Sequence, residues 1–146
     1  MPSDRALVDT NVVVYAHFED SEHYAACSAL LARAQAGQVD LCITSQNLAE
    51  FFAIVTNPRR VTNPLEPEEA LDAITALRTI PGLTLLLNPA DLPDRWMTLA
   101  RQYRARGANV FDLQLVATME AHGVSQIYTL NASHFNKISG LTVLTP

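Results

Sequence analysis

The stretch ALVDTNVVVYA, residues Ala6 to Ala16, places an acid, a hydroxyl and an amide in the middle of a run that is otherwise apolar. The segment from Arg5 to Asp9 is predicted to be a short buried strand, because the apolar run within it is continuous and ends in this polar break. Asn11 to His17 then predicts the beginning of a helix. Asp9 is therefore expected at the end of a buried strand.

The rest of the chain continues this alternation of strands and helices. Further strands are predicted at Leu41–Thr44, Leu83–Leu87, Gln126–Leu130 and Leu141–Leu144. Helices are predicted at Glu22–Ala36, from the N-cap Ser45 to Thr56, from Pro67 to before Pro81, at Asp91–Arg106 and at Val110–His122. The pattern predicts one α/β domain over residues 1–146, with a mostly parallel central sheet and helices on both faces.

Composition and charge exclude some classes of protein. The chain has 146 residues, 49% of them hydrophobic, and a formal net charge of −5. This charge argues against a broad basic surface that binds duplex DNA indiscriminately. No apolar run approaches the roughly 20 residues of a membrane span, and Cys27 and Cys42 lack metal-type spacing. We expect a cytoplasmic protein with no membrane partner and with buried free thiols.

Polar residues cluster where the predicted parallel strands end, which is where ligands gather in such sheets. Asp9 ends the first strand, Glu50 lies in the helix after the second, Asp112 lies where a late helix begins, and Asn131 follows the fourth strand. Three carboxylates in a partly dry crevice repel one another, and a bound divalent cation resolves this. Oxygen ligands favour Mg²⁺ or Mn²⁺, which support phosphodiester hydrolysis.

Each of these residues also has a purely structural interpretation. Asp112 is a possible helix N-cap, and Glu50 can reach solvent from a helix edge. Asp9 with its polar neighbours can form a turn, and Asn131 fits a loop. The metal hypothesis therefore depends on the joint pattern and not on any single acid.

The order and spacing of these motifs resemble the PIN-domain family, and within it the VapC toxins of toxin-antitoxin modules. The resemblance extends over essentially the whole chain. The segments that carry it are Leu7–Asn11, Asn47–Phe51, Val55–Arg59, Val110–Ala117, His122–Gly123, Thr129–Phe135 and Gly140–Leu141. The fourth acidic position of the family is often Asp, and here it is Asn131.

The resemblance implies a metal-dependent endoribonuclease that is the toxin of a VapBC-type system. Asp9, Glu50 and Asp112 would be catalytic and would hold one or two Mg²⁺ or Mn²⁺ ions, with Asn131 at the position of a fourth ligand. Thr10, Asn11 and Thr129 would orient Asp9 by hydrogen bonds. RNA phosphates would meet some of five arginines, namely Arg59, Arg60, Arg101, Arg104 and Arg106. A homodimer and a VapB-like antitoxin partner are also implied.

Two other functions compete with this interpretation. A phosphatase of the same α/β class would also place Asp after the first strand, but it requires a second Asp two residues later, where this chain has Asn11. A non-catalytic PIN-like module that only binds RNA or protein would be expected to lack one or more of the acids. All three acids are present, so this second alternative is less favoured.

Overall fold

The computed structural model describes residues 4–146 and has a five-stranded sheet in which every strand pairs in parallel. Its strand order is β3-β2-β1-β4-β5. The strands are β1 Ala6–Val8, β2 Leu41–Thr44, β3 Leu83–Leu86, β4 Gln126–Tyr128 and β5 Thr142–Leu144. The predicted α/β class and parallel sheet are confirmed.

Six α-helices connect the strands: α1 Thr10–Tyr15, α2 Tyr24–Gln35, α3 Ser45–Val55, α4 Pro67–Leu77, α5 Leu92–Tyr103 and α6 Asn109–Ala121. A short 3-10 helix, Ala132–His134, which the sequence pattern did not predict, follows β4. The helices lie on both faces of the sheet, as predicted. Successive strand residues point to opposite faces, so neighbouring residues of β1 pack against different helices. Val8 packs with α1 to α4, whereas Leu7 packs with α5 and α6.

The central position of β1 determines where the polar residues meet. Its neighbours are β2 on one side and β4 on the other, so the chain leaves these three strands at adjacent points of one sheet edge. Asp9 follows β1, Thr44 ends β2, and Thr129 follows β4. The Asp9 amide continues the ladder by donating to Tyr128 O at 2.9 Å.

Several helix starts differ from the prediction. Asp9 itself is the N-cap of α1, and Thr44 replaces the predicted Ser45 as the N-cap of α3. The N-cap of α6 is Ala108, which makes Asp112 the fourth residue of that helix. The N-cap interpretation of Asp112 is therefore wrong, and its carboxylate is left for another role.

The remaining sequence expectations concern the cysteines and the membrane. Cys27 and Cys42 are buried free thiols, as predicted, and they pack on opposite faces of the sheet. Within residues 4–146, none of the helices combines the length and the apolar character that a membrane crossing requires.

A buried network ties the start of α3 to α1. Asn47 is 0% exposed, and its Oδ1 accepts hydrogen bonds from the Thr44 amide at 3.0 Å and the Thr44 hydroxyl at 2.9 Å. Its Nδ2 donates to Thr10 Oγ1 at 3.0 Å. A single amide side chain thus caps α3 and fixes the first residue of α1. These two helices carry Glu50 and adjoin Asp9, so the network sets the distance between the two acids.

We predict that Asn47→Ala lowers the free energy of unfolding by about 2–4 kcal/mol, since it leaves buried polar groups of Thr44 and Thr10 without partners. Urea denaturation measures this change. The matched control is Asn63→Ala at an exposed loop position, which should change stability by no more than about 0.5 kcal/mol. Equal unfolding midpoints for the two variants would contradict this role of Asn47.

Candidate active site

Asp9 is the most deeply buried acid at the sheet edge, with 8% of its surface exposed. Its Oδ1 accepts from the Thr10 amide at 2.8 Å, and its Oδ2 accepts from the Thr129 hydroxyl at 2.8 Å. Burial raises the pKa of Asp9 above its ordinary value of 3.8, although both hydrogen bonds and the nearby His134 act in the opposite direction. The carboxylate is therefore fixed in place but short of positive charge.

Glu50 faces the same crevice from α3 and is half-buried. Its Oε1 accepts from Gln46 Nε2 at 2.8 Å. Burial raises the pKa of Glu50, and the hydrogen bond from Gln46 lowers it. The charges of Asp9 and Asp112 raise it further. Glu50 thus experiences both other acids, which places all three in one electrostatic neighbourhood.

Asp112 completes this neighbourhood from the first turn of α6, the helix that precedes β4. Burial raises the pKa of Asp112, the charge of Asp9 adds to this, and His134 lowers it. The Asp112 Oδ2 lies 3.3 Å from His134 Nδ1 on the 3-10 helix. His134 therefore contacts the Asp112 carboxylate from the 3-10 helix.

The three acids are near neighbours without forming a closed ligand shell. Within residues 4–146, no three His, Cys, Asp or Glu side chains are gathered closely enough to hold an ion as they stand. The charge of Asp9 nevertheless raises the pKa of both Glu50 and Asp112, and the charge of Asp112 raises that of Glu50. Carboxylate oxygens whose pKa values are raised by burial fit a hard divalent cation such as Mg²⁺ or Mn²⁺. Asp9, Glu50 and Asp112 are the residues that could hold one.

The structure changes part of the predicted support for Asp9. Thr129 donates to Asp9 through its hydroxyl, whereas Thr10 does so through its backbone amide. Asn11 was expected to orient Asp9, but its Oδ1 accepts from the Leu130 amide at 3.4 Å. Because Asn11 is the second residue of α1, its side chain faces the segment after β4 and not the carboxylate. Asn11 thus joins α1 to that segment.

Asn131 lies beside the site with an exposed side chain. Its backbone amide donates to Thr129 Oγ1 at 3.0 Å, so the Thr129 hydroxyl accepts from Asn131 while it donates to Asp9. Asn131 also begins the 3-10 helix that carries His134. These contacts leave its role as a metal ligand a prediction.

Sequence reasoning missed the residue that links Glu50 to α6. Gln46 Nε2 donates to Glu50 and to Phe111 O at 2.9 Å, and Gln46 Oε1 accepts from Gln114 Nε2 at 2.6 Å. The spacing of Gln46 and Glu50, four residues apart on one helix face, was a signal that could have suggested the first of these bonds. The contacts with α6 join residues more than 60 positions apart, so no local pattern indicates them.

The five predicted RNA-binding arginines are exposed. Arg59 and Arg60 follow α3, Arg101 lies on α5, and Arg104 and Arg106 lie in the connection to α6. Their guanidinium groups form no hydrogen bond or ion pair with the described part of the chain, residues 4–146. They remain available to bind an external anion.

Three recesses bear on the site, and two of them are lined by one of the acids. The first, of about 360 Å³, is lined by Asn11, Phe18, Ile54 and Arg60 among others. The second, of about 250 Å³, contains Asp112, His134 and Lys137. The third, of about 420 Å³, contains Glu50 and Phe111. A long ligand bound at the acids would therefore find open space beside Glu50 and beside Asp112.

Comparison with solved structures supports the fold. The fold is similar to that of a Mycobacterium tuberculosis protein described as VapC20, a sarcin-ricin loop cleaving toxin, with a TM-score of 0.70 and 17% identity over 97% of this chain and 99% of the other. It is also similar to a chain of VapBC2 from Rickettsia felis, solved bound to a promoter DNA fragment, with a TM-score of 0.66 and 19% identity over 97% and 98% of the two chains.

Sequence comparison identifies the family. The model of the PIN domain matches residues 6–141. Ribonuclease VapC24 of Mycobacterium tuberculosis is 31% identical over 139 residues, which is 95% of this chain and 94% of that protein. Ribonuclease VapC43 of the same species is 35% identical over 113 residues, 75% of each chain. The chain therefore belongs to the PIN-domain family and is a relative of the VapC ribonucleases.

Proposed function

We propose that this protein is a metal-dependent endoribonuclease and the toxin of a VapBC-type toxin-antitoxin pair. The observation that carries the proposal is the convergence of Asp9, Glu50 and Asp112, each with a pKa raised by burial, at the central edge of the sheet. Two relatives of this chain are named as VapC ribonucleases, which supports RNA as the substrate.

In the proposed site, neighbouring residues orient the carboxylates that would bind the metal. Asp9, Glu50 and Asp112 would hold one or two Mg²⁺ or Mn²⁺ ions, with Asn131 as a possible fourth ligand. Bound ions of this kind supply an activated water and stabilise charge on a phosphodiester as it is cleaved. Thr129 and Thr10 keep both Asp9 oxygens fixed, and Gln46 fixes one Glu50 oxygen. The free arginines around the site would receive RNA phosphates.

The proposed partners extend beyond RNA. Solved toxin-antitoxin complexes, one from Klebsiella pneumoniae among them, share the fold, which supports a VapB-like antitoxin as a partner of this chain. An amphipathic antitoxin tail would fit the first recess, where Val14, Phe18 and Ile54 form an apolar floor between α1 and α3. A symmetric homodimer in the cytoplasm belongs to the same proposal.

Removal of one charge from the site should abolish cleavage but preserve the fold. Asp9→Asn, Glu50→Gln and Asp112→Asn should each reduce Mg²⁺-dependent RNA cleavage by about 100-fold or more, a loss typical of a group that stabilises the transition state. EDTA should abolish cleavage by the wild type. The control Glu120→Gln alters an exposed acid on the same helix as Asp112 and should cleave normally. Equal cleavage by the wild type and Asp9→Asn would contradict the proposal.

The raised pKa of Asp9 predicts how stability depends on pH without metal. Because the folded protein binds this proton more tightly than the unfolded chain, whose carboxyl titrates near 3.8, the free energy of unfolding should fall as pH rises above that value. Asp9→Asn removes this loss. In EDTA, the variant should therefore gain stability relative to the wild type as pH rises above about 4. Urea titrations at a series of pH values measure the difference, and a difference that does not vary with pH would refute the prediction.

A new carboxylate at position 131 tests the fourth ligand. We expect Asn131→Asp to enlarge the rise in Tm that saturating Mn²⁺ produces, because an added charge near the acids favours cation binding. In EDTA, the same variant should be less stable than the wild type, because a fourth acid increases repulsion. Asn136→Asp, an exposed change in the same segment, is the matched control. If both variants show the wild-type shift with Mn²⁺, Asn131 is not a ligand.

A further inference from the structure

Phe111 is exposed in a place where exposure needs an explanation. It is 57% exposed, although the aromatic residues Phe51 and Phe135 are fully buried. It immediately precedes Asp112, in the first turn of α6. A large apolar ring is therefore held in solvent directly beside the proposed metal site.

The backbone at Phe111 is fixed relative to Glu50. Gln46 Nε2 donates to Phe111 O at 2.9 Å and to Glu50 Oε1 at 2.8 Å. Gln114, one turn further along α6, donates to Gln46 Oε1 at 2.6 Å. The bonds made by this one glutamine lock α3 to the start of α6. The backbone that carries the ring thus has a defined position with respect to Glu50.

Phe111 forms one wall of the third recess, of about 420 Å³, which it shares with Glu50. Two amide side chains in this recess have unused hydrogen-bonding capacity within residues 4–146. The Asn88 side chain makes no hydrogen bond there, and Gln114 Oε1 accepts none. No Lys, Arg or His lines the recess, whereas one carboxylate does. The ligand that fits is uncharged, flat and rich in donors and acceptors.

We propose that this recess binds one unpaired nucleobase of the RNA substrate, next to the phosphodiester at the acids. The base would stack on the Phe111 ring and form hydrogen bonds along its edge with Asn88 and Gln114. Single-stranded RNA is commonly recognised in this way, by aromatic stacking together with hydrogen bonds to base edges. A phosphate would be repelled by Glu50, so the backbone stays at the metal site. The inference rests on the proposed ribonuclease function.

The experiment begins with a short single-stranded RNA that the wild type cleaves, selected from a random-sequence pool with Mg²⁺ or Mn²⁺. The variants are Phe111→Ala and Phe111→Trp, and the matched control is Leu71→Ala, which alters a 46% exposed apolar residue on α4 outside the three recesses. KM and kcat are measured on this RNA and on a set in which each nucleotide in turn lacks its base. Size-exclusion chromatography records the oligomeric state of every variant.

Loss of the ring should raise KM by about 5- to 150-fold, the range expected for one stacked base, with a smaller change in kcat. Phe111→Trp should retain wild-type KM, and Leu71→Ala should behave as the wild type. On the RNA that lacks the recognised base, the wild type should become as weak as Phe111→Ala, and the two should no longer differ. That convergence at one nucleotide position is specific to base binding.

Other outcomes overturn the base site. Unchanged KM for Phe111→Ala does so, and so does a defect that persists equally on every base-deleted RNA. A change in oligomeric state for Phe111→Ala also overturns it and assigns the ring to an interface between copies of the chain. If the wild type cleaves no RNA in the pool, the proposed function fails. In that event, anisotropy of the labelled pool in EDTA compares RNA binding by the wild type and Phe111→Ala, and equal affinities reject the base site separately.

Discussion

The buried carboxylate of Asp9 is the constraint on which the rest of this structure depends. It follows the central strand β1 and caps α1. It also accepts a hydrogen bond from the hydroxyl of Thr129, in the segment after β4. One side chain thereby joins the start of a helix to the exits of two strands. Burial makes its charged form costly, which its raised pKa reports. This buried carboxylate lies at the edge of the parallel sheet where ligands bind in such folds.

Polar networks, and not the apolar core, place the other two acids. The core packs the helices against the sheet, but many packed arrangements would satisfy it. Asn47 joins α3 to α1 through Thr10, and Gln46 joins α3 to α6 through Phe111. Both amides lie in the first turn of α3, one turn before Glu50. Because their hydrogen bonds have strict distances, they set the spacing between Asp9, Glu50 and Asp112 more closely than apolar contacts can.

The sequence allowed the three acids to be predicted at one edge because the rule is geometric: parallel strands deliver their carboxyl ends to the same side. Glu50 and Asp112 required only approximate helix positions, and an error of one or two residues at a helix start did not move them away. The support around them was less predictable. The family resemblance implied that Asn11 orients Asp9, yet its partner is Leu130, 119 residues away. Gln46 and His134 depend on contacts of the same long-range kind, which no local pattern encodes.

The central claim is that Asp9, Glu50 and Asp112 together bind a divalent cation. Crystals soaked in Mn²⁺ and measured at the manganese absorption edge test it most directly, because anomalous scattering locates the ion independently of activity. The account predicts a peak between these three carboxylates, and its absence in crystals of Asp9→Asn. A strong peak elsewhere in the protein, with none at the acids, would contradict it.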